Sequence, residues 1–169
     1  MSYLGTDDLA DLAIMDAVPF IQGLHDQQVI SRLHGYAIML DPTEPPNDGF
    51  LPVLAARVFG ERSDWEHPYE DHATLKAQIL LRALRQGYRL DSTREVQHLH
   101  PWLLEAGDTP WEGGVLLPGA PIVAYSGVQS EWDEAIATTM AACFKARCFG
   151  RAKEIGLLTP LRDFVGAGE

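Results

Sequence analysis

Two closely spaced histidines form the tightest grouping of metal-ligating side chains in this sequence. His98 and His100 flank Leu99, and alternate residues of a β-strand point to the same face. On a strand, both imidazoles would therefore reach one ion. The neighbouring sequence supplies no third ligand, so we predict no metal site here. His98 and His100 remain candidate ligand-binding residues.

A second polar group, which contains His67 and His72, lies at the start of a predicted helix. Residues five apart diverge on a helix, whereas the histidines of a zinc helix are four apart. Acid–base catalysis needs a histidine or carboxylate with a shifted pKa in a pocket. His72, His98 and His100 are therefore the candidates for an acid–base role, and His72 is also a candidate ligand-binding residue.

A well-marked helix start follows an apolar segment at 122–125. Ser130 and Asp133 have the spacing of a capping box, and Glu131 and Glu134 lie in the same first turn. A helix N-terminus attracts anions, but three acids already compensate its positive end. We therefore predict a capped helix that packs on a sheet rather than a phosphate site.

The same region carries a resemblance to a known family. A Gly113-Gly114-Val115 turn opens a predicted hairpin, whose second strand ends in Ser126-Gly127 before the acidic helix. This arrangement resembles the C-terminal half of the GlcG/HbpS family of heme-binding-like proteins, over roughly the last third of the chain. The resemblance implies a profilin- or PAS-like α/β sandwich, a small-molecule ligand, and self-association as a homo-oligomer. It makes these candidate ligand-binding residues: Gly113, Gly114, Tyr125, Ser126 and Gly127.

Heme is the cofactor that the resemblance implies. An axial ligand would be a histidine or tyrosine, and the candidates are His67, His72, His98, His100 and Tyr125. No Cys-x-x-Cys-His motif is present, and no histidine falls inside the matched segment. The resemblance therefore assigns no axial ligand.

The elements that must position these residues follow from hydrophobic periodicity and from turn residues. A first helix begins near Thr6 and is kinked or divided near Pro19. A strand at 35–40 and a second strand at 50–59 enclose a turn-rich connection, and Pro52 indicates an edge position or a local break. A helix follows from Pro68 to a left-handed cap at Gly87.

The pattern of apolar and polar residues is less regular in the second half of the chain. The pattern at 88–99 is mixed, 101–106 indicates a short helix, and the last main helix is predicted from Glu131 to about Phe149. Trp132 in this helix packs on the sheet or anchors a subunit contact. Cys143 and Cys148 are expected to be buried, reduced thiols.

This order of elements predicts an α/β (α+β) fold, in which helices pack on an antiparallel sheet. At 169 residues, the chain has the length of one domain. We expect an N-terminal helical segment at 1–33, an α/β core at 34–150 and a C-terminal arm at 151–169.

The net charge and the hydropathy of the chain disfavour two classes of binding partner. The formal net charge of -11 opposes binding to nucleic acid or to an anionic membrane surface. No stretch approaches the ~20 apolar residues of a membrane span, and the N-terminus lacks the pattern of a secretory signal. We therefore expect a cytoplasmic protein with neither kind of partner.

These observations together predict a small-molecule-binding protein. Its pocket is expected near the Gly113-Gly114 turn and the junction at 126–130, with heme or a small organic acid as the ligand. Two alternatives remain open. The first is an enzyme that acts on a small organic acid or a heme-like substrate. The second is a non-catalytic structural subunit.

Overall fold

A computed structural model describes residues 6–45 and 49–154. Three segments lie outside the described residues: 1–5, 46–48 within the predicted turn, and 155–169 of the predicted C-terminal arm. Within the described part of the chain, we find no helix that combines the length and the apolar character needed to cross a bilayer.

A four-stranded sheet forms the centre of the molecule. Its strands are β1 (Gly35–Leu40), β2 (Val53–Phe59), β3 (Gly114–Leu116) and β4 (Ile122–Ser126). Their order is β2-β1-β4-β3, and each neighbouring pair is antiparallel. The prediction of an antiparallel sheet with packed helices is confirmed.

Five α-helices are described around this sheet: α1 (Thr6–Asp16), α2 (Val18–Asp26), α3 (Tyr69–Arg85), α4 (Thr93–Leu99) and α5 (Ser130–Glu154). Two short 3-10 turns span Arg62–Asp64 and Pro101–Leu103. The predicted division of the first helix is confirmed, because α1 ends before Ala17 and Pro19 lies in the first turn of α2.

Helices cover both faces of the sheet. Ala37 and Met39 of β1 pack with α1, α2 and α5, whereas Ile38 and Leu40 pack with α3 and α4. Alternate residues of a strand point to opposite faces, so all six residues of β1 are buried. The core therefore has two halves, one on each side of the sheet.

The second strand begins later than predicted. It starts at Val53 rather than at Phe50, and it is an edge strand. The carbonyl of Pro52 accepts a hydrogen bond from the Asp41 backbone N–H at 2.8 Å. Pro52 has no N–H to donate, so regular pairing is interrupted there, as the sequence predicted.

The mixed segment at 88–99 contains a helix rather than a strand. The Ser92 hydroxyl accepts from the Glu95 N–H at 3.3 Å, and the Glu95 carboxylate accepts from the Asp91 N–H at 2.8 Å. This cap starts α4, so His98 lies in a helix and His100 lies just beyond its end. The premise that both face one side of a strand was wrong. The short helix expected at 101–106 is only a 3-10 turn.

The last helix is longer than predicted. It starts at Ser130 and continues through Gly150 to Glu154, because one glycine weakens a helix without ending it. Trp132 is partly buried against the core half that contains α1 and α2, as are Cys143 and Cys148, and both cysteines are free thiols. Within the described range, residues 151–154 of the predicted C-terminal arm are therefore helical.

Candidate functional site

A buried ion pair lies at the centre of the candidate site. The Lys76 ammonium on α3 is 2.7 Å from Asp133 Oδ2 on α5, and both side chains are almost fully buried. Lys76 also donates to the carbonyl of Tyr125, at the end of β4, over 2.9 Å. Because α3 and α5 pack on opposite faces of the sheet, the pair joins the two halves of the core.

The second carboxylate oxygen of Asp133 holds the link between β4 and α5. Asp133 Oδ1 accepts hydrogen bonds from the backbone N–H groups of Gly127 at 3.1 Å and Val128 at 3.0 Å. The predicted Ser130–Asp133 capping box is wrong, since the helix already starts at Ser130 and Gln129 occupies the cap position. Asp133 instead reaches back to amides that precede the helix.

Burial dominates the ionisation of this pair. It raises the pKa of Asp133 from 3.8 to about 6, although Lys76 and the two backbone N–H groups lower it. Burial likewise lowers the pKa of Lys76, against the attraction of Asp133. Both groups are therefore held in an environment that penalises charge, and each depends on the other for compensation.

The glycine turn packs directly against the pair. Gly113 has a φ of +124°, and a Cβ there would lie 2.6 Å from Asp133 Cβ and 2.9 Å from Lys76 Nζ. The N–H groups of Gly113 and Gly114 both donate to the buried hydroxyl of Thr93 at 3.1 Å. The turn thus leaves space for the lysine ammonium between the two layers.

A pocket of about 450 Å³ opens beside this pair. One wall is the junction at 126–131 together with Asp133, and the others come from Ser31, Arg32, Trp111 and the segment at 67–72. A volume of this size is typical of small-molecule sites. The wall at 126–131 is the one whose backbone amides Asp133 holds.

Arg32 is the cation on the pocket wall. Its Nη1 donates to the Glu66 carboxylate and to the Tyr69 hydroxyl, each over 2.8 Å. The hydrogen bond with Tyr69 is the main cause that raises the pKa of Arg32. Arg32 therefore remains charged and fixes the phenol of Tyr69, which also lines the pocket.

His72 lines the pocket beside Trp111. Its Nδ1 is 3.3 Å from the Thr109 hydroxyl oxygen. The same oxygen accepts a hydrogen bond from the backbone N–H of Trp111 over 3.3 Å. Burial is the largest cause that lowers the pKa of His72, and nearby Lys76 adds to it. The ring is therefore neutral near pH 7, so that one of its nitrogens donates a hydrogen bond and the other accepts one.

The structure brings four of the candidate residues together: His67, His72, Ser126 and Gly127 line the same pocket. Gly113 and Gly114 contact the ion pair and Thr93 behind that wall. Tyr125 is buried in the core, where its hydroxyl donates to the His34 carbonyl over 3.3 Å and burial raises its pKa.

The other two predicted histidines lie among different partners. His98 is exposed and its Nε2 is 3.0 Å from Glu112 Oε1. The His100 ring packs against the rings of Tyr88 and Trp102, at 5.8 and 5.1 Å between centroids. In the described ranges, no three histidine, cysteine or acidic side chains are grouped to hold a metal ion.

Sequence reasoning missed Lys76 and Arg32 as parts of this site. Lys76 could have been found, because it lies on the buried face of α3 between Ala73, Ala77 and Leu80. A lysine in an apolar stripe requires an acidic partner. Arg32 lies in a connecting segment whose sequence carries no comparable pattern.

Comparison of the chain with family models, with curated proteins and with solved structures finds no match.

Proposed function

We propose that this protein binds a small organic molecule in the pocket beside the Lys76–Asp133 pair. The observation that carries the proposal is the fixed wall of a cavity of about 450 Å³. Asp133 holds the amides of Gly127 and Val128, while Lys76 holds Asp133. A wall fixed before the ligand arrives costs little conformational entropy on binding.

The GlcG/HbpS resemblance supports the same location, because its matched residues Ser126 and Gly127 lie on this wall. We propose a sandwich of that family's type on this basis. Heme fits the pocket less well than a smaller ligand does. His67 and His72 could supply an axial nitrogen, but most of the lining residues carry polar or charged side chains, whereas a heme macrocycle packs between apolar walls.

A second candidate function is acid–base catalysis on a ligand such as a small organic acid. The observation that favours it is His72, a neutral imidazole on the pocket wall with a lowered pKa. The test is turnover of any compound that binds. Loss of turnover in His72→Gln, with binding retained, would support catalysis. If the wild type turns over no compound, the protein is a binding protein or a structural subunit.

Ligand binding can be tested by thermal shift against a metabolite library that includes hemin, with absorbance measured for hemin. A ligand that binds only the native state raises the melting temperature. Trp111→Ala removes a ring on the pocket wall, while Trp102→Ala removes a ring of similar exposure elsewhere. We expect at least one compound to raise the melting temperature of the wild type. This rise should be smaller in Trp111→Ala and unchanged in Trp102→Ala. No stabilising compound would contradict the proposal.

We also propose that the protein is a cytoplasmic homo-oligomer. The resemblance supports self-association, and the two free thiols of Cys143 and Cys148 are typical of a reducing compartment. Light scattering during size-exclusion chromatography tests the first point, and a monomer at micromolar concentration would overturn it.

A further inference from the structure

We infer that the ligand is a planar, uncharged nitrogen heterocycle of the nucleobase or pterin type. This inference rests on the proposed function, and it names the chemical class that the same pocket would take. Three properties of the lining support it: the charge balance, the arrangement of hydrogen-bonding groups and the exposed aromatic face.

The charges around the pocket leave no net positive site. Lys76 compensates Asp133, and Glu66 compensates Arg32 at 2.8 Å. His72 is neutral, so the exposed carboxylate of Glu131 is the charge that remains on the wall. A phosphate ester or a polycarboxylate would meet this carboxylate and a chain whose net charge is -11.

The polar groups of the wall include both donors and acceptors. The guanidinium of Arg32 donates, and the carboxylate of Glu131 accepts. The neutral imidazole of His72 carries one donor and one acceptor nitrogen. Gln129 and Ser130 on the same wall can do either. The edge of a nitrogen heterocycle alternates donors and acceptors, whereas a simple carboxylic acid presents acceptors alone when it is ionised. The mixed wall therefore matches the heterocycle.

The aromatic face is supplied by Trp111. This residue is 53% exposed although it lines the pocket, so part of the indole surface is available to a ligand. A flat ring that stacks on an indole gains about 10-fold or more in affinity, and stacking tolerates many ring types. Tyr69 adds a second aromatic side chain to the lining.

The experiment measures the dissociation constants of adenosine, guanosine, pterin, adenosine 5′-monophosphate, benzoate and hemin by calorimetry with the full chain. We expect at least one uncharged heterocycle to bind, and the monophosphate to bind no more tightly than adenosine. Trp111→Ala should weaken binding about 10-fold by loss of stacking, and Trp102→Ala should leave it unchanged. Circular dichroism and the melting temperature show that each variant is folded.

The outcomes separate this inference from the proposed function. Benzoate or hemin binding in the absence of heterocycle binding would overturn the inference and leave small-molecule binding in place. Tighter binding of the monophosphate than of adenosine would also overturn the inference, because it requires a cationic site. If neither these probes nor the metabolite library bind, both the inference and the proposed function fail.

Discussion

Lys76 and Asp133 are 57 residues apart in the sequence, yet the nitrogen of one lies 2.7 Å from an oxygen of the other. Each belongs to a helix on a different face of the sheet. Together with the carbonyl of Tyr125 and the amides of Gly127 and Val128, they connect α3, β4 and α5 at the pocket wall.

Replacing Lys76 with methionine should strongly destabilise the protein. Lys76→Met leaves the Asp133 carboxylate buried without a cation, which typically costs about 3–5 kcal/mol. Chemical denaturation measures the free energy of unfolding, and Lys145→Met on the exposed surface of α5 is the control. The double variant Lys76→Met/Asp133→Asn should recover part of the loss, since asparagine is uncharged and still accepts from the two amides. Equal stability of Lys76→Met and Lys145→Met would contradict this account.

Gly113 should tolerate alanine less well than another glycine with positive φ. Gly113→Ala and Gly119→Ala both place a side chain in the left-handed region, at φ +124° and +74°. Only at Gly113 would the new Cβ meet Asp133 and Lys76, because nothing lies within 4 Å of it at Gly119. We expect Gly113→Ala to be less stable than Gly119→Ala by about 1–3 kcal/mol, as for overpacked cores. Denaturation of both variants measures the difference, and a larger loss at Gly119 would be inconsistent with the packing.

The pKa of Asp133 predicts a pH dependence with a definite sign. The folded state raises this pKa from 3.8 to about 6, so it binds the proton more tightly than the unfolded chain. The contribution of this group is therefore complete below pH 3.8 and is lost as the pH rises through about 6, by on the order of 3 kcal/mol. The measurement is the unfolding free energy of the wild type minus that of Asp133→Asn from pH 4 to 7. A difference that rises over this range would refute the assignment.

The cap of α4 should contribute a measurable part of the stability. Ser92→Ala removes the hydroxyl that accepts from the Glu95 N–H, and the loss of such a cap costs about 1 kcal/mol. Ser63→Ala, at an exposed position, should change the unfolding free energy by less than about 0.5 kcal/mol. Indistinguishable values for the two serine variants would show that the cap is unimportant.

Local sequence patterns predicted much of the sheet and the main helices. β1 spans the residues expected from its apolar run at 35–40, because a strand covered on both faces is apolar throughout. The end of α3 was also predicted, since Gly87 has a φ of +88°. These features depend on neighbouring residues, which a sequence pattern records directly.

The candidate site, in contrast, is formed by residues that are far apart in the sequence. Asp133 was predicted to act within its own helix turn, but its partners are Lys76 and two amides before the helix. His98 is a different case, because the Ser-x-x-Glu pattern at 92–95 is local and indicates a helix start just before it. The contacts of Asp133 are long-range and leave no local pattern, whereas the helix that contains His98 is specified by its own neighbouring residues.

The amide hydrogens of Gly127 and Val128 are bonded to a carboxylate that is itself anchored on the far side of the sheet. Their exchange with deuterated solvent therefore requires the helices on both faces to separate, rather than a local opening of the loop. Although they belong to a connecting segment beside a cavity, these two hydrogens should exchange as slowly as those at the centre of β1.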